Sequence, residues 1–261
     1  MIRLRELGAA CALAAAVSAC APPSRPSLPS GAGTPFPAFD TAFQQAIQDC
    51  ASVRTITAEL ALSGRAGATK LRGRINAGFA APDEMVLEGL APFGKPAFLL
   101  TARGGDATLV LPRDERVLRG APPAAIIEAL AGVALTPAEL RTAIAGCGLG
   151  TAPPGAGRSY GDDSAAADSA YGTVYLRRVD GRWRVAGVAR EGLTVQYADF
   201  AGGRATTVFV RAAVADLALR LSQVEINVTL DPKIFDLDVP KDAVPLTLEE
   251  LRRAGPMGIA R

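Results

Sequence analysis

The sequence predicts an α+β fold that is mainly β: a long antiparallel sheet of about ten or eleven strands, curled on itself and covered by three helices. Three observations carry this. Apolar and polar residues alternate with period two through residues 55–111 and again through residues 171–240. The period becomes helical at residues 36–51 and between residues 122 and 146. Each strand block has one dry face, and those amphipathic helices are the cover available for it.

Taken in order, the first helix repeats Phe39, Phe43, Ile47 and Cys50 on one face, with Asp40 or Thr41 as its cap. TITAELALSG then sets Ile56, Ala58, Leu60 and Leu62 against Thr57, Glu59 and Ala61. KLRGRINAG sets Leu71, Gly73 and Ile75 against Lys70, Arg72, Arg74 and Asn76, and DEMVLEGL sets Met85 and Leu87 against Glu84 and Glu88. FLLTAR, which contains Phe98 and Leu100, and DATLVLP close the first block.

Two helices follow. PPAAIIEALAG has proline at its start, glycine at its end, and Ile126, Ile127 and Leu130 as its apolar stripe. TPAELRTAIAG opens on a capping box, Thr136 with Glu139, and turns Leu140 and Ile144 inward. Residues 148–170 lack any period and read as a mobile loop. Strands resume at Tyr171, with Asp180-Gly181 as a hairpin turn. VEINVTLD shows the cleanest alternation, Val224, Ile226, Val228 and Leu230 inward, and FDLDVP is read as a last strand. TLEELRRAG suits one or two helical turns.

The chain contains no histidine, which excludes histidine metal sites and every Ser-His or Cys-His nucleophile. A net charge of +2, lower once residues 1–19 are removed, offers no basic field for nucleic acid. Asp162, Asp163 and Asp168 fit no calcium-loop spacing, so no metal is expected. Gly146 to Gly150 is a helix stop and not a phosphate loop.

MIRLRELGAACALAAAVSAC combines a positive start with an apolar run too short to span a bilayer, so residues 1–20 read as an export signal. Val17-Ser18-Ala19-Cys20 also matches a lipobox, in which Cys20 would be lipidated. The competing reading is an ordinary signal with an incidental cysteine. If the lipobox resemblance holds, exported lipoproteins with Asp after the cysteine stay in the inner membrane, and Ala21 at that position implies the outer membrane. Residues 21–37, rich in proline, serine and glycine, read as a tether reaching on the order of 50 Å if extended. Residues 38–240 form one domain and residues 241–261 a tail. Cys50 and Cys147 both face inward from helix ends in an oxidising compartment, which predicts a disulfide, the alternative being two inert buried thiols.

The helices that roof the sheet carry alanine, isoleucine and leucine with few large aromatics. Either the core packs shut beneath them or an aliphatic cavity remains. The lining of such a cavity would come from Leu60, Leu62, Leu71, Ile75, Met85, Leu87, Phe98, Leu100, Ile126, Ile127, Leu130, Leu140 and Ile144.

Residues 57–147 resemble the outer-membrane lipoprotein receptor family LolB. The resemblance is carried by LSGR, LRGRI, LEGLAPFGKPAFLLTARGGDATLVL and PPAAIIEALAGVALTPAELRTAIAG, and within them by Pro92-Phe93-Gly94, Leu130-Ala131-Gly132 and Pro137 with Leu140-Arg141. It implies an unclosed antiparallel barrel covered by helices, with an apolar cavity for lipoprotein acyl chains. It also implies a lipid-anchored, non-enzymatic protein on the periplasmic face of the outer membrane. Such a protein takes cargo from a LolA-like periplasmic carrier and needs no cofactor. On this resemblance the turn Pro92-Phe93-Gly94 delivers cargo through an exposed Phe93; a turn read without it also allows Phe93 to fold back as a plug. The other functional reading is an accessory envelope lipoprotein with a closed core, using an exposed tail to dock a partner protein.

Overall fold

The computed structural model describes residues 24–91, 93 and 95–256. Cys20, Pro92 and Gly94 lie outside the described residues. The chain runs β1 (Thr34–Pro35), α1 (Phe39–Ile47), β2 (Thr55–Ala66), β3 (Thr69–Ala80), β4 (Glu84–Leu90), β5 (Phe98–Arg103), β6 (Asp106–Leu111) and β7 (Arg116–Ala121). Helices α2 (Pro123–Ala131) and α3 (Pro137–Ala145) follow. Then come β8 (Arg158–Ser159), β9 (Ser164–Ser169), β10 (Gly172–Val179), β11 (Arg182–Arg190), β12 (Leu193–Ala201), β13 (Arg204–Ala212) and β14 (Ala215–Ile226). A 3₁₀ turn (Pro232–Phe235), β15 (Val244–Pro245) and α4 (Leu248–Ala254) end it.

All the strands join one sheet in the order β1-β8-β9-β10-β11-β12-β13-β14-β2-β3-β4-β5-β6-β7-β15. It is two hairpin meanders, β2–β7 and β8–β14, sewn together by the antiparallel pair β14–β2. The first and last strands do not pair, so the fold is mainly β and the sheet is unclosed and, apart from the short parallel pair β7–β15, antiparallel, as the sequence predicts. The four helices and the inner face of the sheet enclose one continuous core.

Fifteen strands are described against the ten or eleven expected; three of them are two-residue bridges. Part of the remaining difference lies in residues 148–170, where β9 replaces the expected loop. Ala165, Ala166 and Ala167 in it are fully buried. Ala165 and Ala167 face the core, where α1 packs across β9–β11 and leaves room for little more than a methyl group; Ala166 on the opposite face is the same residue, so the strand has no alternation to read. At the far end, β14 stops at Ile226, so Val228 and Leu230 are not in a strand. Asn227 takes φ 54°, its Oδ1 accepts from the Arg54 amide at 2.7 Å, and the chain turns off the sheet. FDLDVP is likewise not a strand: Asp231 caps the 3₁₀ turn, and Phe235 is buried with the Arg103 guanidinium 5.9 Å from its ring.

The helix boundaries follow local chemistry. Helix α1 is capped at Ala38, two residues before Asp40 and three before Thr41, with no side-chain cap bond, which places Asp40 in the first turn where it favours the helix dipole. Helix α2 ends on Gly132 in the left-handed conformation. Helix α3 carries the Thr136/Glu139 capping box. The tail is not free. Helix α4 has its own capping box, Thr247 with Glu250, and lies on α2 with Leu251 2% exposed. Arg116 bonds Glu250 at 3.2 Å, fixing it to β7. A docked tail removes the free helix on which the protein-docking alternative depended.

Candidate functional site

The inner faces of β2–β5, β13 and β14, roofed by α2 and α3, enclose a cavity of about 110 Å³. No polar side chain lines it. Strand alternation supplies Leu60, Leu62, Leu71, Ile75, Leu87, Phe98 and Leu100; the helices supply Ile127, Leu130, Leu140 and Ile144. Phe98 reaches in because it pairs with Gly89, where any side chain would meet its ring at 2.4 Å. Two expected residues do not line the cavity. Met85 is fully buried two residues before Leu87, beyond the cavity's edge. Ile126 is fully buried too, and lies about 100° round the helix from Ile127.

The lining also includes Phe79, Ala131, Val133, Leu135, Val210, Leu217 and Leu219. Val210, Leu217 and Leu219 sit on the inward phase of their strands, a signal the sequence carries. What it does not carry is the β14–β2 pairing that brings them beside Leu62. A second cavity of about 300 Å³ adjoins at Ile144, which lines both, and reaches Cys50, Asp49, Arg184 and the Gly202-Gly203 turn.

The two roof helices are held very differently. Cys147, just past α3, is disulfide-bonded to Cys50 (S–S 1.97 Å), tying the ends of α3 and α1 together. Fully buried Tyr197 donates from Oη to the Ala143 carbonyl at 2.8 Å and accepts from the Gly148 amide at 3.0 Å. Burial pushes its phenol far above the ordinary value, so it stays a neutral donor. Arg141 donates to the Val53 carbonyl at 2.6 Å, and Arg190 bonds Glu139 at 2.5 Å. Burial raises the Glu139 pKa, but its bonds to Arg190 and Thr136 prevail and hold it below 4.5. That bridge's contribution is complete above about pH 4.5 and is lost as the pH falls through the lower folded value.

Helix α2, by contrast, has no side-chain hydrogen bond to the sheet among the described residues. Its ionic contact, Glu128 to Arg252 at 3.9 Å, is half exposed on both sides and worth little. Replacing Tyr197 by Phe should therefore cost about 1–3 kcal/mol in urea denaturation, because Gly148 N–H loses a buried acceptor. Removing Glu128 should cost under about 0.5 kcal/mol.

Phe93 is 90% exposed at the crest of the β4–β5 loop. It does not fold back as a plug. Arg113 donates to the Phe93 and Lys95 carbonyls and Lys95 to the Pro112 carbonyl, each at 3.4 Å, which braces the loop on the β6–β7 turn. Among the described residues no cluster of three or more Cys, Asp or Glu could hold a metal, and no helix is long and apolar enough to cross a membrane.

No family model matches the chain, and no curated protein matches it. Solved structures do. A LolA superfamily protein from Nitrosomonas europaea superposes with TM-score 0.51 at 13% identity, over 76% of this chain and 96% of that one. A putative outer-membrane lipoprotein-sorting protein domain from Vibrio parahaemolyticus gives TM-score 0.43 at 13% identity, over 70% and 89%. Lipoprotein LppX from Mycobacterium tuberculosis gives 0.32 at 11%, over 75% and 99%. At these identities the likeness is one of architecture, and it is the first superposition that carries it: the chain has a LolA-like fold, without a feature that singles out LolB.

Proposed function

We propose that the protein binds the hydrocarbon tails of lipoproteins or lipids beneath α2 and α3 and passes them to the outer membrane, in the manner of LolB. The observation that supports this most directly is the all-carbon lining of the cavity. Hydrocarbon is the ligand such a wall favours, at about 0.8 kcal/mol per methylene buried. In the present conformation about 110 Å³ admits only a few methylenes, well short of the roughly 300–1,000 Å³ of typical ligand sites. Helix α2, held by packing and the weak Glu128–Arg252 contact between Pro122 and the left-handed Gly132, is the element that moves outward to admit a chain. Helix α3 stays fixed as the back wall.

Lipidated Cys20 would hold the protein on the periplasmic face of the outer membrane, with a LolA-like carrier as donor. No bond is made or broken in this transfer, so the proposed role is not enzymatic. Release into a bilayer regains for each methylene what leaving the cavity costs.

Every described element lies within residues 24–256. A chain starting at Ala21 therefore serves for binding assays. It should take up a fluorescent fatty acid saturably. Ala131→Phe, which fills the cavity from the end of α2, should reduce uptake about tenfold or more while shifting stability by no more than about 1–3 kcal/mol. Equal uptake by the two chains would show that the tail binds elsewhere.

A further inference from the structure

The segment expected to be a free tether lies along the sheet. Arg25 makes two bonds to the Asp216 carboxylate, one of them Nη1 to Oδ2 at 3.2 Å, and its guanidinium sits 5.1 Å from the Phe209 ring. The Pro26 carbonyl accepts from Gln196 Nε2 at 2.6 Å. Thr34 and Pro35 pair with Ser159 and Arg158. Cys20 is thus five residues from Arg25, a separation that can span at most about 17 Å, in place of about 50 Å.

The clamp stands at one particular end of the strands. Antiparallel order puts the β2–β3 turn, the β13–β14 turn, the β4–β5 loop with Phe93 and the β6–β7 turn at that same end. There the ladder register sets Arg211, Asp216, Arg65 and Lys70 side by side across β13, β14, β2 and β3. Residues directly opposite share a face, and all four are exposed. Arg25 and Arg211 both bond Asp216, and among the described residues neither Arg65 nor Lys70, which face each other directly, forms an ion pair. Like charges in that position cost stability, a cost that an anion bound between them would relieve. Val214, 60% exposed, projects from the adjacent turn. Lys95 and Arg113 continue the basic ground beside Phe93 before Asp114 and Glu115 end it.

We propose that the row Arg211-Arg65-Lys70, held in place by the Arg25–Asp216 clamp, docks on the anionic phospholipid headgroups of the membrane that carries the N-terminal anchor. The short reach from Cys20 brings this rim to the bilayer, Arg65 and Lys70 take lipid phosphates, and Val214 settles between headgroups. The inference rests on the anchor at Cys20 and not on the cavity.

Flotation of the chain starting at Ala21 with phosphatidylcholine vesicles, with and without phosphatidylglycerol, tests the row. Binding should be stronger with phosphatidylglycerol and should weaken at high salt. Arg65→Glu with Lys70→Glu should lower partition about tenfold or more without moving the melting temperature. Arg182→Glu, at the opposite strand ends, should leave it unchanged. In the lipidated full chain, energy transfer from a probe at Ala68 to labelled headgroups should fall when Arg25→Ala releases the strap. Equal binding to both vesicle types, or no effect of the double reversal, overturns the proposal. So does a double reversal that spares vesicle binding and abolishes only transfer from a carrier protein, since the row would then receive a protein. Loss of fatty-acid uptake with rim binding intact would remove the carrier function and support the docking row.

Discussion

Replacing Cys50 and Cys147 together by Ser is expected to lower unfolding free energy by about 4–5 kcal/mol. The two cysteines stand 97 residues apart, and closing a loop of that length removes about this much conformational freedom from the unfolded chain in the chain-entropy model. For a domain of this size the loss corresponds to a fall of about 10–15 °C in melting temperature. The effect should also be local. The bond joins the end of α1 to the end of α3, beside the second cavity and one turn from Ile144. Without it, α3 keeps Tyr197 and Arg190 but loses its covalent tie, so its amides should exchange faster than those of β2 and β3. Calorimetry and hydrogen exchange on the oxidised, reduced and double-serine forms check both parts. A loss under about 1 kcal/mol would mean that the unfolded chain is already compact around these positions.

Phe93→Ser should separate function from stability. At 90% exposure the ring contributes little to the fold, so urea denaturation should change by under about 1 kcal/mol. Inserting a phenyl group into a bilayer or against an acyl chain is worth about 1.5–3 kcal/mol, a factor of about ten to a hundred in partition or transfer. Delivery of a bound fatty acid or lipoprotein to vesicles should fall by that factor, with uptake into the cavity unaffected. The backbone brace from Arg113 survives the change, because it uses carbonyls. A stability loss of several kcal/mol would instead place the ring in the core.

The sequence made the first sheet block and both roof helices legible because their patterns are local. Leu60 and Leu62 alternate on one strand, and Thr136 with Glu139 is a self-contained cap. The cavity was only half legible. Leu217 and Val210 enter it through a pairing between strands more than 140 residues apart in the chain (Leu217 opposite Gly64), which no window of sequence displays. Ala165 and Ala167 of β9 were invisible for a different reason: their burial is dictated by the helix above them and not by their own hydrophobicity. The clamp at Arg25 was hidden among prolines and serines that compositionally resemble unstructured chain, because one bidentate ion pair and one ring contact suffice to seat it.

An open sheet invites strangers. Any unpaired border strand offers a ladder of free amides and carbonyls to a neighbouring molecule, and the route to fibrous aggregates starts there. Here each border is formed by a two-residue strand drawn from near one end of the chain, Thr34–Pro35 on one side and Val244–Pro245 on the other. Both finish in proline, which has no amide hydrogen to offer the next comer. The unclosed sheet therefore need not recruit other proteins, and a shortened form that drops either guard should self-associate where the intact chain stays dispersed.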